Sequence, residues 1–161
     1  MLNIGTITLA VQVVPMAVST VERFILVVDA NSEHVRTITT ALTESRNPYR
    51  LVAIARGDEA LEFLTRQGQH TTAPRPDLIL LDLDLPDTNG LDILTAIKQN
   101  AHLRRIPIIV FTVSDRREDI FRSYALQGNC YVIKSRDLHN LSEIVQRIEE
   151  FWLGIVTLPL E

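Results

Sequence analysis

The chain has 161 residues, of which 46% are hydrophobic and 22% charged, a balance that suits one globular domain with short extensions. Its net charge of −4 provides no overall basic field to recommend nucleic acid as a partner. The single cysteine, Cys130, excludes an internal disulfide and agrees with a reducing, cytoplasmic setting.

In chain order, residues 1–22 come first and are mostly apolar. No Lys or Arg precedes the apolar part, and Asn3, Gln12 and Pro15 interrupt it. No uninterrupted run reaches the roughly 18–20 residues of a membrane span. The stretch is therefore expected to be an appended extension, with no membrane insertion. A domain over 23–153 and a tail over 154–161 follow.

From Phe24 onward, short apolar runs alternate with amphipathic segments. Strands are expected at Phe24–Val28, Leu51–Ile54, Leu78–Leu81, Ile106–Phe111 and Cys130–Ile133. FILVV, LILL and IPIIVF are nearly continuous in apolar residues, as strands covered on both faces should be. Helical spacing aligns Val35, Ile38 and Leu42, then Leu91, Leu94 and Ile97, and finally Leu138, Leu141, Val145, Ile148 and Trp152. Asn31 is the expected N-cap of the first helix, and Asp115 with Glu118 forms a capping-box-like start to the fourth. Breaks fall at Asn47-Pro48, Gly57, Gly68, Pro74, Pro76 and Gly128. Five strand–helix units with right-handed crossovers give a doubly wound α/β domain on a five-stranded parallel sheet.

Ligands of such sheets bind beyond the C-terminal ends of the strands. Those ends read Asp29-Ala30, Asp82-Leu83-Asp84, Thr112 and Lys134-Ser135, so carboxylates, a hydroxyl and an ammonium are expected on one rim. Each alone commonly marks where a strand meets water; together they suit phosphoryl transfer. A carboxylate can attack phosphorus when a hard cation and an ammonium neutralise the crowded negative charge.

The segment LILLDLDLPDTNG resembles the phosphoacceptor loop of response-regulator receiver domains, with Asp82 in the acceptor position. The resemblance spans about residues 23–153. It implies the flavodoxin-like strand order 2-1-3-4-5, Thr112 as switch hydroxyl, Tyr131 as aromatic switch and Lys134 as the phosphate-contacting lysine. It also implies a Mg2+ site drawing on Asp29, Asp82 and Asp84. The phrases PRPDLILLDLDLP, IKQNAHLRRIPIIVFT, NCYVIKSRDL and EEFWLGIVTLP further resemble the small single-domain response regulators that accompany cyanobacterial phytochromes. That likeness implies a light-regulated sensor histidine kinase as partner, and a homodimer through the face around the fourth helix, fifth strand and fifth helix. In this role the protein is a signalling switch rather than a metabolic enzyme.

Three departures stand out. Ala30 occupies the position where receivers carry a second acid, Val113 follows Thr112 where a smaller residue is usual, and Ser135 follows Lys134 where proline is common. Asp84 either compensates for the missing acid or only adds repulsion toward phosphate. The departures leave open a pseudo-receiver, a dimerisation or binding module that no longer uses phosphate. A flavodoxin-like cofactor binder shares the topology but lacks a Gly-rich loop after the first strand. Cys130 is expected to be a core thiol, and His34, His70, His102 and His139 surface residues. Ile148, Phe151 and Trp152, with the apolar tail, are the expected subunit interface.

Overall fold

The computed structural model describes residues 21–45 and 49–159. The extension up to residue 20 and the break at Asn47-Pro48 lie outside the described residues. Strands β1 (Arg23–Val28), β2 (Tyr49–Ile54), β3 (Leu78–Leu81), β4 (Ile108–Thr112) and β5 (Cys130–Ile133) form one parallel sheet in the order β2-β1-β3-β4-β5. Helices α1 (Ser32–Thr43), α2 (Gly57–Thr65), α3 (Gly90–Gln99), α4 (Arg117–Ala125) and α5 (Leu138–Trp152) connect and follow them.

Alternation along the strands divides the core in two. Phe24, Leu26, Val28, Ile79, Leu81, Ile108 and Val110 face α2 and α3, while Ile25, Val27, Leu78, Leu80, Ile109 and Phe111 face α1 and α5. Because both faces are covered, β1, β3 and β4 are apolar almost throughout. In α1, the Asn31 side chain accepts hydrogen bonds from the amides of Glu33 and His34, the cap the sequence leads one to expect. Asp137 caps α5 through the Asn140 amide, and Leu141, Val145 and Ile148 form its buried stripe. Leu138, aligned with that stripe in sequence, is the first residue of the helix and is 42% exposed.

Several boundaries differ from the sequence reading: β1 begins at Arg23 rather than Phe24, β2 begins at Tyr49 rather than Leu51, and β4 ends at Thr112 rather than Phe111. Strand β4 starts at Ile108 rather than Ile106, because the Ile106 amide closes a turn onto the Leu103 carbonyl and Pro107 has no N–H for a ladder. Helix α4 starts at Arg117 without a side-chain cap, so Asp115 does not close a capping box. Ser114 instead donates to Asp119 (2.6 Å) ahead of the helix. Among the described residues, no helix is long and apolar enough to cross a membrane.

Candidate functional site

Strands β1 and β3 are neighbours that leave the sheet toward opposite faces, and the crevice between their C-terminal ends is the binding place of such sheets. Val28 pairs with Leu81, and the Asp82 amide donates to the Val28 carbonyl (2.9 Å), so Asp29 and Asp82 emerge side by side. On the far side of β3, the Lys134 amide donates to the Thr112 carbonyl (2.8 Å), which starts the lysine at the same rim. Its Nζ ends 2.6 Å from Asp29 Oδ2 and 2.7 Å from Asp82 Oδ2. The stem passes the Phe111 ring, whose centroid is 5.5 Å from Nζ. Thr112, fully buried, sits at the end of β4, and its hydroxyl accepts from the Ser114 amide at 3.4 Å.

An ammonium has three protons to donate. Here two go to the carboxylates, and the third direction meets His34 Nδ1 at 3.4 Å. The placement corrects the expectation of a solvated His34: the first turn of α1 turns it, half-buried, over the lysine. His70 is also half-buried, with its ring 5.3 Å from that of Phe63.

The second oxygen of each carboxylate holds a loop. Asp29 Oδ1 accepts from the Asn31 amide (2.8 Å) and Asp82 Oδ1 from the Asp84 amide (3.2 Å). The loop then closes through an Asp84–Asn89 bridge and a bond from the Gly90 amide to the Leu83 carbonyl. Gly90 permits that closure, since a Cβ there would come within 2.3 Å of the Asp82 carbonyl oxygen. Asp87, which sequence reasoning passed over, accepts from the amides of Gly57 (2.9 Å) and Asp58 (2.8 Å) and so caps α2 from the acceptor loop. Nothing local in sequence signals that contact, because thirty residues separate the partners.

The expected three-carboxylate metal set does not assemble. Asp84 is exposed, Ala30 offers no oxygen, and the described residues contain no group of three His, Cys, Asp or Glu side chains able to hold a metal. The pair Asp29 and Asp82 still fits a hard cation such as Mg2+, which takes one or two carboxylates and fills its remaining positions with water and phosphoryl oxygens.

Tyr131 on β5 is half-buried, and its hydroxyl donates to the Ser114 carbonyl at 2.9 Å. Burial, with the nearby Asp119 carboxylate, pushes this phenol above its ordinary value of 10.0. Val113 is 37% exposed beside the rim. Of the residues expected at an interface, Ile148 is buried in the core and Trp152 half-buried against it, leaving Phe151 exposed. Leu158 of the tail is also buried, so part of that tail packs on its own domain. Burial raises the pKa of the half-buried Cys130 thiol and so suppresses its thiolate, in keeping with a structural role.

Sheet order, paired rim carboxylates and a bridging lysine together define a receiver domain. Residues 25–146 match the response regulator receiver domain, and the chain belongs to that family. Among characterised proteins it is similar to response regulator Rcp1 of Synechocystis sp., with 44% identity over 137 residues, covering 85% of this chain and 93% of that protein. It is also similar to the probable methanogenesis regulatory protein FilR2 of Methanothrix harundinacea, with 35% identity over 131 residues, covering 81% and 83%. Among solved structures, the phosphorylated cyanobacterial phytochrome response regulator RcpA superposes with a TM-score of 0.85 at 44% identity, covering 87% of this chain and all of that one. The Mn(2+)-bound form of Rcp1 gives 0.84 at 43%, covering 86% and 99%.

Proposed function

We propose that this protein is a response regulator of a two-component system in which Asp82 accepts a phosphoryl group from the phosphohistidine of a sensor kinase. The observation that carries the reading is the buried Lys134 ammonium between Asp29 and Asp82. Asp82 Oδ2 is engaged by that ammonium, whereas Oδ1 has only the Asp84 amide at 3.2 Å, so Oδ1 is the attacking oxygen. Its lone pair forms the new O–P bond as the P–N bond to the kinase histidine breaks, and the imidazole leaves with the electron pair and takes up a proton. Lys134 then transfers its hydrogen bonding from carboxylate to phosphoryl oxygen, and the Thr112 hydroxyl is the further donor on that rim.

Asp29 and Asp82 would hold Mg2+, which when bound supplies positive charge to the phosphoryl oxygens. The Mn(2+)-bound form of Rcp1 and the phosphorylated form of RcpA support this reading by similarity. RcpA is a cyanobacterial phytochrome response regulator, which favours a phytochrome-linked kinase as partner here, and the single cysteine suits a cytoplasmic setting. A homodimer is supported by exposed apolar side chains on and around α4, β5 and α5: Phe121, Tyr124, Ile133, Leu138 and Phe151. We take 23–153 as the working domain, with 154–161 folded onto it in part through Leu158.

Incubation with a small phosphodonor and Mg2+, followed by intact-mass measurement, tests the switch. A phosphate-sized gain that disappears in Asp82→Ala is expected. The second reading, a phosphate-independent binding module, rests on Ala30, an exposed residue beside Asp29 with no side-chain oxygen to offer a metal. No gain with either the small donor or a kinase donor would establish it.

A further inference from the structure

At the opposite, N-terminal edge of the sheet, the segments following α2 and α3 enclose a cleft of about 490 Å³, well away from the carboxylate rim. Its lining includes Arg66, Arg75 and Arg105, with His102 beside them, and among the described residues no Asp or Glu contributes to it. That is a local inversion in a chain whose net charge is −4. The floor is apolar, formed by the buried Leu64 and Leu103.

Three features fix the cationic groups in advance. Arg66 ends α2 in the left-handed region (φ 56°), where glycine would carry no steric cost, and its Nε donates to the Ala73 carbonyl at 3.0 Å. Arg75 lies between Pro74 and Pro76, whose rings restrict the backbone around it. Arg105 sits in a loop that Lys98 holds from both sides, with Nζ 3.3 Å from the Arg104 carbonyl and 3.4 Å from that of Ile106. A basic residue can simply cap a helix C-terminus, which accounts for Arg66. It does not account for Arg105, which lies on the approach to β4.

We infer that this cleft is a binding site for a phosphorylated small molecule of nucleotide size. Guanidinium forks match phosphate oxygens in pairs, and a planar ring fits over Leu64 and Leu103. The volume falls within the range of small-molecule sites, roughly 300–1,000 Å³.

Calorimetric titration of the full chain with ADP tests this, with EDTA present so that no metal bridges the ligand to Asp82. Saturable binding is expected, weakened about tenfold or more by Arg105→Glu. Arg66→Gly should weaken it too; that variant relieves the left-handed backbone, and a melting temperature near the parent's separates lost binding from lost folding. Arg105→Glu should still gain phosphate from a small donor. Absence of saturable binding, affinity in both variants equal to the parent's, or inorganic phosphate binding as tightly as ADP would overturn the inference. Tighter binding of a poly-glutamate peptide than of ADP would overturn it in favour of a protein partner.

Discussion

The Lys134 ammonium lies 2.7 Å from the Asp82 carboxylate, with the lysine side chain fully buried and the aspartate only 7% exposed. Asp29 shares the same ammonium at 2.6 Å. One cation thus neutralises two adjacent buried acids, and breaking such a set from one side leaves the rest uncompensated. Lys134→Met should therefore lower stability at pH 7 by about 3 kcal/mol in urea melts. With its counter-charge gone, the carboxylate pair should take a divalent cation more readily. Millimolar Mg2+ should raise the melting temperature of Lys134→Met by more than it raises the parent's. An equal rise in both would show that the two carboxylates do not form the cation site.

Restoring the missing acid should likewise strengthen Mg2+ binding. Ala30 is exposed at the rim beside Asp29, so Ala30→Asp adds a hard oxygen ligand without disturbing packing. Mg2+ affinity should rise about tenfold, read from thermal shifts against metal concentration. In EDTA the same variant should lose up to about 1 kcal/mol, since an exposed like charge is well screened. Asp84→Asn is the companion. Its side chain lies outside the buried cluster, so affinity should stay within about twofold of the parent. A large loss would mean that Asp84 does compensate for Ala30.

The fold was readable because each local signal agreed with the whole. Continuous apolar runs at β1, β3 and β4 report burial on both faces, and the acids and lysine just past strand ends report the rim. Asp29, Asp82 and Lys134 were found that way. What stayed hidden depends on distance in sequence and on side-chain direction. No pattern places His34 against Lys134 across a hundred residues, or Asp87 at the start of α2. The α5 stripe shows why helical spacing cannot identify an interface. Ile148 and Trp152 lie on the same line as Leu141, and the structure turns that line inward, leaving Phe151 outside it.

Asp87 ties the acceptor loop to α2 through two amide hydrogen bonds, and Gly57 leaves no room between these elements. A Cβ on Gly57 would come within 2.4 Å of Thr88 Cγ2. Asp87→Ala removes both acceptors from a helix N-terminus and should cost about 1–2 kcal/mol of stability. Because these hydrogen bonds run to α2 rather than to the carboxylate–lysine cluster, the phosphodonor mass gain on Asp82 should persist. If phosphorylation were lost while the fold remained, the strut would be holding the acceptor in its reactive position as well as capping α2.

Tyr131 gives a prediction in pH. Its phenol donates to the Ser114 carbonyl and titrates above 10.0, chiefly because it is buried. The neutral form is therefore favoured by folding. Its contribution is complete below pH 10, the unfolded value, and is lost as pH rises toward the higher folded value. Tyr131→Phe keeps the ring and removes the hydroxyl, so at pH 7 it should be less stable by about 1 kcal/mol. Above pH 10 the parent alone loses this term, and the gap between the two proteins should narrow. Other groups that titrate in the same range, such as Tyr49 and Lys98, are common to both and cancel in the difference. Urea melts of parent and variant at pH 7, 9, 10 and 11 read the gap directly. A gap that stays constant to pH 11 would mean that the hydroxyl–Ser114 bond does not hold β5 to the loop after β4.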